Sequence, residues 1–499
     1  MTLVAGLHAT AASASSTQES IIQDDALMKA DPAGTLATFR SLGVTRVRLS
    51  VTWASLAPSP NSKTAPKHFK GGDPASYSGW QIYDTIARQA KADGIGLDFM
   101  LTGPAPRWAT GPGMPSGTHL QWKPSASQFG AFAKAVGTRY SGHYRGLPRI
   151  NFWSIWNEPN YGFDLAPQTT NHDSIEVGAA IYRGLLSHAW AGLSQSGHKP
   201  GKDTILIGET APRGLDHGIG NFQGVKPLRF LRALYCVDSS YRELRGSAAS
   251  ARGCPTTAGG SRAFRRQNPA LFSASGFADH PYTAQAAPVA PNVPTNLNGH
   301  GRSDPDFADL PEVGRLEGVL DHLNRVYGSR SHFNVWSTEY AYRTRPPDHV
   351  GVSLSTQAFW LNWAEYISYR QKRISSFDQY LLVDPPSGSF ASGLEFNNRR
   401  PKPSFDAYRM PLYLPTTSTR KGKSIEVWGG ARPAHFASTR QSVVIQFRSS
   451  SKAPWKSLKT VPITNKRGYI DTHMAFPSSG QVRLAWSGFL SRTQNIRVR

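Results

Sequence analysis

The stretch from Phe152 to Asn160, Phe-Trp-Ser-Ile-Trp-Asn-Glu-Pro-Asn, constrains the fold most. It is an aromatic, apolar run that breaks off into an amide, a carboxylate and a proline. Trp153 and Ile155 alternate as on a strand, while Phe152 and Trp156 add apolar bulk to the other face. A strand apolar on both faces is covered on both sides, as in a parallel sheet. The pattern recurs at Phe333-Asn334-Val335-Trp336-Ser337-Thr338-Glu339-Tyr340, a second run that ends in a glutamate. Carboxylates at the carboxyl ends of parallel strands lie where an α/β barrel gathers its reactive groups.

The rest of the chain alternates accordingly. Glu19 to Gln23 reads as a short first strand, and Pro32 to Leu42 as a helix closed by Gly43. Val44 to Trp53 is β-rich, Trp80, Tyr83, Ile86, Ala87 and Ala90 trace a helical stripe, and Leu97 to Thr102 is the next strand. Ser125 and Gln128 form a capping box before a helix with apolar Phe129, Phe132, Val136 and Tyr140. After the Glu158 strand, a helix is expected over Ile175 to Leu193 and a strand over Thr204 to Gly208, leading into Glu209. The basic stretch from Arg232 to Ser275 reads as irregular decoration, and Phe277 to Tyr282 as a strand carrying His280 and Tyr282. Helices over Glu312 to Tyr327 and Thr356 to Tyr369 then frame the Glu339 strand, and Ile374 to Leu382 supplies the last one. About eight strands and eight helices in turn predict a (β/α)8 TIM barrel over residues 19–414. Beyond Leu414 no helical period survives, and short strands separated by turn residues predict a small all-β sandwich over residues 415–499.

The formal charge of +23 is unevenly spread: from Pro415 to Arg499 there are 15 Lys and Arg against two acids. That excess fits an acidic partner, such as an anionic glycan or cell envelope, as well as it fits a general basic bias. There is no aromatic-and-basic recognition motif of the kind that specific nucleic-acid binding uses. No run of 18 apolar residues suggests a membrane span. Residues 1–18 are Ala/Ser-rich, and Ala12-Ser13-Ala14 resembles a signal-peptidase site without a basic region before it. They are expected to lie outside the fold, either as the truncated leader of a secreted or cell-surface protein or as a disordered start that is no leader. Cys236 and Cys254 either form one disulfide or stay as thiols; two cysteines alone build no metal site.

Trp156-Asn157-Glu158-Pro159 resembles the acid/base motif of the clan A retaining glycoside hydrolases, and Trp336-Ser337-Thr338-Glu339 resembles their nucleophile strand. Within the clan the chain is most similar to the neighbourhood of families 39 and 5. The resemblance implies Glu158 as general acid/base after strand 4, Glu339 as nucleophile after strand 7, and Asn157 as a hydrogen-bond partner of the sugar 2-hydroxyl. It implies Arg48 as the strand-2 arginine that supports the nucleophile, and His280 and Tyr282 as the strand-6 pair at the sugar. Trp108, in the loop after strand 3, is expected to stack on a sugar ring. No metal and no organic cofactor are implied, and the partner is an oligo- or polysaccharide. The strand-8 end, Phe377-Asp378-Gln379-Tyr380, departs from the clan by lacking its tryptophan, and the cysteine-bearing insertion is no clan feature. The C-terminal module resembles the immunoglobulin-like or fibronectin-like appendages of bacterial surface enzymes.

Hydrolysis with retention needs two carboxyl groups about 5–5.5 Å apart, one ionised to attack and one protonated to donate. Arg48 and Tyr282 are expected to keep Glu339 ionised through charge and hydrogen bonding. Aromatic surroundings and the charge of Glu339 are expected to keep Glu158 protonated. Glu209 is the rival: it ends a strand as well, and serves either as a supporting residue or in place of Glu158. The other reading of the chain is a catalytically weak glycan-binding or envelope-adhesion protein that uses the same cleft.

Overall fold

The computed structural model describes residues 15–116, 121–170, 174–216, 222–292 and 300–499. Ala12 to Ala14 and the middle of the Pro/Asn-rich loop between Pro288 and Pro311 lie outside them. Eight parallel strands form one sheet in chain order: β1 Glu19–Gln23, β2 Arg46–Thr52, β3 Gly96–Thr102, β4 Phe152–Ile155, β5 Thr204–Thr210, β6 Gly276–Asp279, β7 Val335–Ser337 and β8 Ser376–Tyr380. β8 pairs with β1 along its length. The ring closes where Val335 bridges Ile374, its N–H donating to Arg373 O at 2.9 Å and its carbonyl accepting from Ser375 N at 2.8 Å.

Side-chain alternation explains the barrel. Val47, Leu49 and Val51 are fully buried under the outer helices, whereas Arg46, Arg48 and Ser50 share the opposite, inner face. Arg46 reaches across the barrel floor, pairs with Glu19 and lies over the Phe152 ring at 4.1 Å. The interior is therefore polar, with Asp98, Ser154 and Asp378 also buried. The helix Pro32–Leu42 starts at Asp31, whose carboxylate accepts from Gly34 N, and stops at Gly43 with φ 79°. Helices Ala126–Arg139 and Gly178–Gln195 meet so closely that a Cβ on Gly192 would collide with the Gly130 carbonyl.

Three local expectations change. The stretch from Arg232 onward is helical over Gly246–Ala251, Ala258–Gln267 and Pro269–Ser273, after a helix at Pro227–Leu234. Gly246–Ala251 and Ala258–Gln267 are short and Gly/Ser/Arg-rich, which hid them in the sequence, whereas Pro227–Leu234 and Pro269–Ser273 bury Leu228, Phe230, Leu231, Leu271 and Phe272. Buried Arg183 donates to the carbonyls of Ala233, Leu234, Arg252 and Gly253, and Cys236 and Cys254 form a disulfide with Cα atoms 5.6 Å apart. The helix expected from Ile175 starts at Gly178, because Ile175 and Glu176 pair with Thr169 and Thr170. β6 ends at Asp279, which leaves His280 and Tyr282 just beyond its carboxyl end.

From Leu412 the chain forms two antiparallel-paired sheets. Leu412–Tyr413, Ile425–Gly430 and Tyr469–Met474 make one. Ser442–Arg448, Lys456–Pro462, Gly480–Trp486 and Gln494–Val498 make most of the other. Between them lies a core that includes Val427, Val443, Ile445, Phe447, Ile470, Val482 and Leu484. This sandwich is tied to the barrel by buried polar groups. Arg432 pairs with Glu365 at 2.6 Å and donates to Ser20 Oγ, while Tyr469 Oη donates to Glu365 at 2.7 Å and accepts from Gln18 at 2.8 Å. Ser15 and Gln18 are buried, so residues 15–18, grouped with the leader on sequence grounds, are part of this junction.

Candidate active site

At the end of β4 the backbone takes positive φ at Trp156 (69°) and Glu158 (37°), a costly region for side-chain-bearing residues. Local bonds hold the turn: Trp156 N donates to Leu101 O at 2.8 Å, Trp156 Nε1 to Asp164 O at 3.1 Å, and Tyr161 N to Glu158 O at 2.9 Å. The result is a loop that aims Asn157 and Glu158 into the barrel mouth and folds Asp164 back beneath them. Glu339 follows β7. Both glutamates line one cavity of about 400 Å³, together with Asn157, Tyr161, Arg213, Tyr282 and Tyr380. One carboxylate oxygen of Glu158, one of Glu339 and a ring nitrogen of His280 all lie within 4.8 Å of one another.

Glu339 accepts from Arg48 Nη1 at 2.7 Å and from Tyr282 Oη at 3.1 Å. Beneath it Arg48 spreads its guanidinium, with Nη2 2.9 Å from Glu209 Oε2 and 2.9 Å from Asn157 Oδ1, and Nη1 also bonded to Gln23. His280 lies 3.0 Å from Glu158 through Nδ1 and 2.9 Å from Glu209 through Nε2, with Glu339 at 3.6 Å. Thr338 Oγ1 donates to Glu209 at 2.7 Å. Two cations and three carboxylates thus interlock in one network.

The network sets protonation. Burial alone would push the Glu209 carboxyl up, but the Arg48 charge and the His280 and Thr338 hydrogen bonds bring it down to about 2. Burial opposes the charge on His280, yet the negative Glu339 and the bonds to Glu158 and Glu209 raise it to about 10. The imidazole is therefore a cation at neutral pH, and a proton sits on the line between His280 and Glu158. The spacing of His280 to Glu158 and Glu339 would also suit a metal ion. Burial and the neighbouring Glu158 push Asp164 up to about 8. Burial, chiefly, lifts Asp98 to about 7 and holds Asp378 well above the usual carboxylate range.

The sequence-selected residues separate into three groups. Glu158, Glu339, Asn157 and Tyr282 meet at the cavity. Arg48, expected to support the nucleophile, and His280, expected at the sugar, are both fully buried and touch the carboxylates instead of the cavity. Trp108, expected to stack on a sugar, is not among the cavity-lining residues. Its indole N–H donates to Pro58 O at 3.0 Å, and its ring packs edge-on against Trp53 and Phe69. Glu209 is completely buried, so it supports the pair and does not replace Glu158. Asp164, Thr338 and Tyr380 went unselected. Only Tyr380 had a signal, its place at the strand-8 end where the aromatic position was in question.

No protein-family model and no curated protein matches the chain. Solved structures of similar fold include a family 39 glycoside hydrolase from Bacteroides cellulosilyticus, with 14% identity and a TM-score of 0.48 over 92% of this chain and 80% of that one. The endo-beta-1,4-mannanase of Thermotoga petrophila aligns with 10% identity and a TM-score of 0.41 over 97% and 98%. The family 1 β-glucosidase of Thermotoga maritima aligns with 13% identity and a TM-score of 0.44 over 76% and 84%. At such scores these likenesses decide nothing about activity.

Proposed function

We propose that the protein is a retaining glycoside hydrolase that cleaves an oligo- or polysaccharide by double displacement, without a metal or organic cofactor. The observation that carries this reading is the pair Glu158 and Glu339. Oxygens of the two carboxyls lie within 4.8 Å of each other at the wall of one cavity. Retaining enzymes hold their carboxyl groups about 5–5.5 Å apart, whereas inverting ones need roughly 6.5–9.5 Å to admit water between them.

In the first step Glu339, with Arg48 on one oxygen and Tyr282 on the other, attacks the anomeric carbon. The glycosidic C–O bond breaks, and the leaving oxygen takes the proton of Glu158, which is left as a carboxylate bonded to His280 Nδ1. The glycosyl ester on Glu339 removes one negative charge from beside His280. In the second step Glu158 accepts a proton from water, whose oxygen attacks the anomeric carbon and displaces Glu339. The configuration is inverted twice and so retained. Export is part of the same reading and is supported by the disulfide between Cys236 and Cys254, a bond typical of oxidising compartments. The surplus of cations in the sandwich supports docking on an anionic glycan or envelope.

The test is hydrolysis of a panel of aryl glycosides and polysaccharides with anomer-resolved product analysis. Retained configuration is expected, with activity lost in Glu158→Gln and Glu339→Gln variants that still fold. A product of inverted configuration, or full activity in both variants, overturns the assignment. Glycan binding with no released sugar would favour the adhesion reading instead.

A further inference from the structure

Arg213 lines the cavity beside Tyr161 and Glu158, and it also lines an adjoining hollow of about 300 Å³ bordered by Phe163, Leu215 and Phe222. Its backbone is held by Asn160, the buried residue that follows the acid/base motif. Asn160 Nδ2 donates to the carbonyls of Ala211 (3.0 Å), Arg213 (3.3 Å) and Val225 (3.0 Å), and its Oδ1 accepts from Ala211 N at 2.8 Å. Gly214 abuts Val225 and Lys226 so tightly that a Cβ there would collide with their backbone. The loop carrying Arg213 is thus fastened to the loop carrying Glu158.

The guanidinium itself is nearly idle. Among the described residues its one side-chain hydrogen bond, from Nη1 to Tyr161 Oη, is 3.4 Å long, and it lies 5.1 Å from the centre of the Tyr161 ring. Among the described residues it has no carboxylate partner. By contrast Arg343, on the same cavity wall, is paired with Asp348, and the partly buried Arg139, Arg232 and Arg302 are paired with acids. A guanidinium is always charged and presents a planar fork of donors that matches a carboxylate. Beside it Phe163 is 63% exposed, its ring 5.2 Å from that of Tyr161, which offers an apolar shelf to the C–H face of a sugar.

We infer that the substrate is an acidic saccharide, and that Arg213 receives the carboxylate of a uronosyl unit lying on the Tyr161–Phe163 shelf. This rests on the hydrolase reading for the word substrate, but its test does not require turnover. Binding to the full chain carrying Glu339→Gln is measured by calorimetry. The probes are glucuronic-acid-bearing xylo-oligosaccharides and oligogalacturonides, each beside its carboxyl-reduced neutral counterpart and a sulfated one. At least one acidic member should bind about tenfold or more tightly than its reduced partner, with a margin that shrinks as salt rises. Adding Arg213→Ala should abolish the margin at unchanged thermal midpoint, and Arg213→Lys should restore part of it. The inference fails if no acidic member is preferred, if the preference survives the loss of Arg213, or if the sulfated sugar binds best. Arg213-dependent binding by a wild type that releases no sugar would remove the hydrolytic reading and leave this one standing.

Discussion

Glu209→Gln is the most informative single change, because it keeps the shape of a fully buried side chain and deletes only its charge. Arg48 then loses a carboxylate at 2.9 Å and retains Glu339, while His280 Nε2 loses its charged acceptor, also at 2.9 Å. A hydrogen bond to a charged group contributes about 1.5–3 kcal/mol, and about 1.4 kcal/mol corresponds to one pH unit, so His280 should fall from about 10 to roughly 8–9. The sign follows from linkage. A histidine raised from 6.5 to about 10 on folding contributes stability that is complete below 6.5 and is lost as pH rises through 10. The variant should therefore lose this contribution at lower pH. It should also be less stable at neutral pH by about 3 kcal/mol, the lower end for breaking a buried pair, since Arg48 keeps one partner. Urea unfolding across pH 6–10 reads the stability, and the alkaline limb of kcat/KM on an aryl glycoside reads the proton. An alkaline limb and an unfolding curve that both coincide with wild type would refute the argument that Glu209 keeps His280 charged beside Glu158.

Asp164 stands at about 8 in the fold against 3.8 unfolded, so between those values the folded chain holds a proton the unfolded chain lacks, and stability falls as pH rises. Asp164→Asn should flatten that fall in denaturant unfolding; an unchanged slope would contradict it. Arg432→Met strands the buried Glu365 carboxylate at the barrel–sandwich junction and should cost about 3–5 kcal/mol, read as an earlier unfolding midpoint. Replacing Cys236 and Cys254 together by Ser removes a cross-link spanning 18 residues and should cost about 3 kcal/mol by the same measurement.

Much of the framework was legible because periodicity and capping are local. The helix Pro32–Leu42 falls where its Asp31, Pro32 and Gly43 signals put it, and Gly480–Trp486 matches its alternation. The two glutamates were legible because their strands are unusual: aromatic up to the last residue, then acidic. Arg48 was found beneath Glu339, but His280 was placed one layer too high, since sequence marks which residue types converge without marking which of them water reaches. Trp108 misled for the same reason, as a tryptophan in a loop can face either a sugar or Trp53. Asp164 carried no local signal; it joins the site only because Trp156 and Glu158 turn the backbone through a left-handed bend.

The junction between the barrel and the sandwich has a bearing on how the chain is made. The opening strand, Glu19–Gln23, needs Ser376–Tyr380 on one edge, and its flank is held by Arg432, Arg467 and Tyr469 through Ser20, Glu19 and Gln18. During synthesis the strand Glu19–Gln23 therefore waits until Ser376–Tyr380, and then Arg432, have emerged before these partners exist. A nascent chain truncated before the sandwich would expose the flank of that strand and the unpartnered Glu365, which makes residues 412–499 a completion signal for the barrel as well as an appendage to it.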